Sequence, residues 1–165
     1  MQIDELNKLL EGLSAYDLPP FDDDGLTSAR LKDGNLLNIY AAEETLMLFM
    51  QVEVLGNVGE DHPEIFRDLL HSNIIGGKFG NLRIVYDDDS TAVWLCHDIP
   101  LETINADRLS DEVDRFAANA PLLIGVLRED IITAYMDLES EEAAAENRKK
   151  TEELTAVNIA NFLSV

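Results

Sequence analysis

Apolar residues recur along this chain in two periods, and the switches between them mark its elements. Ile3, Leu6, Leu10 and Leu13 fall at helical spacing with charged residues between them, which predicts a short amphipathic helix. Gly12 weakens its end and Pro19-Pro20 cannot continue it, so Tyr16 to Gly25 reads as an acidic loop. The period then drops to two. Leu26 to Leu31 predicts a weak strand, Asp33-Gly34 a tight turn and Leu36 to Ala41 the return strand. Leu46 to Leu55 predicts the strongest strand. Leu46, Leu48, Met50, Val52 and Val54 share one face, and Met47, Phe49, Gln51, Glu53 and Leu55 the other.

Asp61, Pro63 and Glu64 form a helix start: a capping acid, a first-turn proline and a carboxylate for the exposed amides. Ile65, Phe66, Leu69 and Leu70 then make one apolar stripe, which ends near Asn73 ahead of Gly76-Gly77. Leu82 to Tyr86 and Ala92 to Ile99 predict two further strands around an aspartate-rich turn, and Pro100 ends the second. Asn105 is placed to cap a long helix. Its apolar phase runs through Leu109, Val113, Phe116, Ala120, Leu127 and Ile131, and Pro121 is expected to kink or split it. Composition changes at "ESEEAAAENRKKTEE". Residues 139–165 are therefore expected to form an acidic helical extension, separate from a domain over residues 1–138. Helix, three strands, helix, two strands and helix predict an α+β sandwich, with helices packed on a twisted antiparallel sheet.

Charge narrows the possible partners. The 165 residues include 33 acidic and 12 basic side chains, a formal charge of -21. Such a field opposes nucleic acid and anionic membranes, and suits a partner with basic segments. Cys96 is the single cysteine, so no intramolecular disulfide is possible. The opening MQIDELNKLL carries acids where a signal peptide needs positive charge. No apolar run approaches the ~20 residues of a membrane span. A soluble, cytoplasmic protein with no membrane insertion is expected.

Candidate chemistry is thin. "GGKFG" at residues 76–80 suggests a phosphate loop, but it follows a helix and precedes a strand, the reverse of what phosphate binding at a helix N-terminus needs. A helix C-cap and turn is the better reading. Cys96-His97-Asp98 offers a nucleophile, base and orienter in sequence only, since strand neighbours point to opposite faces. His62, His71 and His97 show no zinc spacing, and surface or cap positions are expected for them. Asp22-Asp23-Asp24-Gly25 and Asp87-Asp88-Asp89 lack the alternation of a calcium loop and read as solvated turns. Trp94 and Phe49 read as core residues, and Arg83 and Arg30 as partners for nearby acids. No catalytic set is assembled, so no enzyme is expected, and substitution of Lys78 or Cys96 should leave function intact. The informative feature is surplus apolar surface, which on a soluble protein marks a partner site or self-association.

From Pro63 to Phe116 the chain resembles the class I chaperones of bacterial type III secretion, the CesT/SycE-like or Tir chaperone family. The carriers are Pro63, Phe66, Leu69, Leu70 and Asn73, then Leu82, Tyr86, Val93 and Leu95, then Ile99-Pro100-Leu101, and finally Leu109, Val113 and Phe116. The resemblance implies a homodimeric α+β chaperone without nucleotide, metal or other cofactor. Its partner would be the N-terminal region of a secreted effector, wrapped in extended form and kept secretion-competent. It further implies dimer contacts at Ile65, Phe66, Leu69, Leu70 and Val85, and client contacts at Leu6, Leu10, Leu13, Ile39, Leu48 and Met50. A regulatory protein sequestering a transcriptional regulator or secretion component is the alternative.

Overall fold

The computed structural model describes residues 3–57, 61–73 and 81–162. The elements come in the expected order. They are α1 (Ile3–Leu10), β1 (Leu26–Arg30), β2 (Leu36–Ala41), β3 (Thr45–Val54), α2 (Glu64–His71), β4 (Arg83–Asp87), β5 (Ala92–Pro100) and α3 (Ala106–Phe162). The five strands form one antiparallel sheet in the order β1-β2-β3-β5-β4. The fold is α+β. The stretch at residues 76–80, including Lys78, lies outside the described residues.

Local chemistry fixes the turns. Gly34 takes φ 91° in the β1–β2 turn, where only glycine is unstrained. Asp33 beside it accepts the Asn35 amide at 3.0 Å. Asp22 Oδ1 accepts the amides of Asp24 and Leu26 at 3.0 and 2.8 Å, so the first acidic cluster is spent on its own turn. Asn105 caps α3, its Oδ1 accepting the Arg108 amide at 2.9 Å. The start of α2 differs from expectation. Pro63 holds the capping position and no side chain, Asp61 included, caps the helix. Pro121 does not split α3, which runs on as one helix. The apolar stripe on both sides of the proline, from Leu109 to Leu127, stays buried and offsets the one lost backbone bond.

A second difference lies in β3. Pairing with β5 shifts between Gln51 and Glu53, so Glu53 faces Val93 and Val54 faces Ala92. This bulge exchanges the faces of the last residues. Val54 is 50% exposed and Leu55 is buried, whereas strict alternation assigns them the other way.

One face of the sheet, here the inner face, carries Leu37, Ile39, Leu46, Leu48, Met50, Leu95, His97 and Ile99, all buried. The first part of α3 covers it with Leu109, Val113, Phe116, Ala120, Ile124 and Leu127. The Phe116 ring stacks on the His97 ring, with centroids 6.4 Å apart. Arg128 Nε donates to the Val52 carbonyl at 2.6 Å. Leu6, Leu10 and Leu13 join the buried set, and the Tyr16 hydroxyl after them donates to Asp114 on α3 at 2.5 Å. The chain divides into two compact units, Met1–Arg128 and Glu129–Val165. In the second, Ile132 and Met136 are exposed and a Lys150–Glu146 pair spans one turn at 2.7 Å.

Candidate protein-interaction surface

The opposite, outer face of the sheet is the candidate site. Register brings its side chains together. Tyr40 lies opposite Met47, Phe49 opposite Cys96, and Trp94 opposite both Gln51 and Val85. Residues directly opposite one another share a face, so an apolar band crosses from β2 to β4. Leu36 and Tyr40 in this band are exposed, and Met47, Phe49, Trp94 and Val85 are half-buried. Phe49 and Trp94 meet edge to face at 5.5 Å, which holds both large rings on the surface rather than in the core.

Polar groups beneath and beside the band make it rigid. Asn38 is buried, its amide donating to the Phe49 and Leu36 carbonyls at 3.3 Å and accepting from Ser28 Oγ at 2.7 Å. Arg83 grips Asp98 through two bonds of 2.6 and 3.0 Å, the fork geometry expected of a guanidinium on a carboxylate. It also reaches Met47 Sδ at 3.2 Å and so borders the band. Cys96 lies below, and burial pushes its thiol up to about 11.

The two sheet edges differ. On β4, Asn73 takes both backbone groups of Ile84, donating to its carbonyl at 2.9 Å and accepting its amide at 2.7 Å. That closes this part of the edge and fixes the segment after α2 to the sheet. On β1, Asp22 does the same at Leu26, through its backbone amide and its side chain. The alternation that sends Gly25 and Leu31 toward β2 points the backbone groups of Ser28 and Arg30 outward.

The model of the Tir chaperone protein (CesT) family matches residues 7–123, most of the chain. The protein belongs to that family. This CesT-family chain is similar in fold to several solved structures. One is the HopA1–SchA chaperone–effector complex, at 19% identity and a TM-score of 0.51 over 75% of this chain and 90% of that one. Another is the heterodimeric ExoU–SpcU complex from the type III secretion system of Pseudomonas aeruginosa, at 16% identity and 0.52 over 75% and 98%. YbjN, a putative transcription regulator from E. coli, shares the fold at 11% identity and 0.51, over 86% and 94%. No curated protein matches the sequence.

The residues expected as client contacts of this CesT-family protein lie in its core. Leu6, Leu10, Leu13, Ile39, Leu48 and Met50 are all buried within the single chain. Alternation grouped Leu46, Leu48, Met50 and Val52 of β3 correctly, but α3 covers that face, so those side chains are core. Among the expected dimer contacts, Ile65 and Leu69 are buried, Phe66 and Val85 are half-buried, and Leu70 is 67% exposed. Phe66 rests against the Tyr86 ring at 4.6 Å. Phe49 and Trp94 were expected in the core and instead stand on the open face. Phe49 falls out of phase with the buried residues of β3, whereas Trp94 shares its face of β5 with buried Ala92 and Cys96. His62 and His97 are buried, not at the surface. Among the described residues no group of histidine, cysteine, aspartate or glutamate side chains is arranged to hold a metal ion. Among them, too, no helix is long and apolar enough to cross a membrane.

Proposed function

We propose that this protein is a type III secretion chaperone that works as a homodimer in the cytoplasm. In this reading it binds the N-terminal region of a secreted effector and keeps it secretion-competent, catalysing no reaction. The observation that carries the reading is the outer face, an apolar band with paired aromatic rings at the surface of a chain of charge -21. Family membership supports the chaperone role. The similar folds in chaperone–effector and secretion-system complexes support an effector as the partner.

The physics favours a long, extended client. Each well-buried anchor contributes about 1.5–3 kcal/mol, while ordering a disordered segment costs about 2–5 kcal/mol or more, so several anchors are required. Leu36, Tyr40, Phe49 and Trp94 offer them in one band. The outward backbone groups of Ser28 and Arg30 offer a place for a client strand to add to β1. Leu70 and Phe66 on α2, with Val85, form the proposed contact with the second copy. Residues 139–165 are proposed as an extension to the chaperone domain.

Co-expression with the product of the neighbouring gene, followed by size exclusion with light scattering, tests the reading. Two copies with one secreted client are expected. A monomer that retains no neighbouring product would overturn it, and so would a transcriptional regulator as the one captured partner.

A further inference from the structure

The side of α3 turned away from the sheet carries an ordered set of side chains centred on Leu122. Leu122 is 71% exposed, more than any other large apolar side chain among the described residues. Ala118, Asn119, Gly125 and Glu129 are exposed as well, and Val126 is half-buried. Arg115 touches Glu112 of its own helix at 3.3 Å and still leaves 65% of its side chain in solvent. Gly125 lies inside the helix, where glycine weakens it. Among the described residues nothing stands within 4 Å of where its Cβ would be, so no packing inside the chain demands a glycine there.

The residues on either side of Leu122 form matched pairs. Three positions away stand Asn119 and Gly125, four away Ala118 and Val126, and seven away Arg115 and Glu129. On a helix these spacings return to the side that Leu122 occupies. Each pair joins a larger with a smaller side chain, or a cation with an anion. An antiparallel copy of the same helix, related by a twofold axis at Leu122, sets every residue against its mirror position. Leu122 then meets Leu122, and Val126 of one copy covers Ala118 of the other. Asn119 enters the notch at Gly125, and Arg115 faces Glu129 twice. A parallel copy would oppose Arg115 to Arg115 and Glu129 to Glu129. Asp114 and Asp130, eight positions out, lie about 80° around the helix from Leu122 and only flank this seam. A charge of -21 resists contact between copies, so a site where opposite signs meet is favoured over the rest of the surface.

We propose that α3 is a further self-contact, through which two copies pair antiparallel about Leu122. It lies apart from the α2 contact of the proposed homodimer and joins one homodimer to another. The pairing of α3 does not itself depend on the α2 reading. One leucine pair and two exposed ion pairs make a small seam, and small seams are weak, so this one fills as the protein is concentrated. At the dilution of size exclusion the α2 contact stands alone.

Sedimentation equilibrium of the full-length protein from ~5 to ~500 μM tests the contact, since a weak seam fills over that range. The mass is expected to rise beyond that of the homodimer. Arg115→Glu and Glu129→Arg each set like charges face to face and should weaken this association about tenfold. The double variant, Arg115→Glu with Glu129→Arg, exchanges the signs and should restore it. Within one copy the two positions are about 21 Å apart along the helix, so the rescue reports a pair between copies. Leu122→Glu should abolish the rise. All three positions are exposed, and melting curves confirm that the variants fold. The proposal is overturned by a mass that does not rise, by any of the three single variants associating like the wild type, or by a double variant no better than Arg115→Glu and Glu129→Arg alone. Leu70→Glu keeps the two contacts apart. Concentrated, it should still pair through α3, and a protein that stays monomeric at ~500 μM overturns the proposal. A dimer that persists in dilute Leu70→Glu overturns the α2 contact instead, while the charge exchange still judges α3.

Discussion

Buried Cys96 couples this fold to alkaline pH. Desolvation raises its thiol from 9.0 to about 11, and the nearby Arg83 guanidinium only partly opposes that. The unfolded chain therefore releases this proton at lower pH than the folded one. Between those two values the unfolded state binds fewer protons, and stability falls as pH rises. The loss from this one group is on the order of 2 kcal/mol. Urea unfolding measured from pH 8 to 10.5 should show this decline, and Cys96→Ala should flatten it. Equal slopes in both proteins would show that the thiol does not carry the effect. The same burial should leave Cys96 unreactive toward a thiol reagent at neutral pH until the chain unfolds. His97 makes the complementary case of a polar group held by one partner. Glu112→Ala strips the carboxylate from its Nε2 and leaves that buried ring nitrogen without its partner. A loss of about 1–3 kcal/mol is expected from the denaturant midpoint.

At the scale of elements, Asn73 does the work of a missing neighbour strand. It satisfies the amide and carbonyl of Ile84 and anchors the end of α2 to the sheet. Asn73→Ala should cost about 1–3 kcal/mol for the two bonds, and the Ile84 amide should exchange faster with solvent. Pro121→Ala should act in the opposite direction, since alanine restores a backbone donor within an unbroken helix. A rise in melting temperature is the expected outcome. Both residues show where the sequence was legible. Periodicity located each strand and helix of the sheet domain to within a residue or two, because one buried face imposes one period. It could not show that Asn73 would bond an edge strand, since that contact joins residues 11 apart in the chain. It also could not show which face of β3 the third helix would cover. Leu48 and Phe49 are both apolar, and only the packing of α3 makes the first a core residue and the second a surface one. The bulge at Gln51/Glu53 was hidden for the same reason, as alternation assumes an uninterrupted ladder.

For the whole molecule, the proposed function assigns one apolar surface to a second copy and another to a client. The outer face carries Phe49 and Trp94, and α2 carries Leu70, 67% exposed. Placing a charge at either spot opposes burial there, because a carboxylate entering an apolar contact loses its hydration without a partner. Both positions are solvent-accessible in the single chain, so neither substitution should unfold it. Phe49→Glu and Leu70→Glu therefore separate the two contacts. Leu70→Glu should give a monomer by light scattering while the melting temperature shifts little. Phe49→Glu should keep the dimer yet hold its client at least tenfold more weakly, the scale of one lost anchor. Association in the wild type should also slow as salt is raised, because a charge of -21 draws basic segments from a distance that ions screen. If Phe49→Glu instead dissolves the dimer and Leu70→Glu leaves it whole, the sheet face is the seam between copies, and the client must be gripped elsewhere.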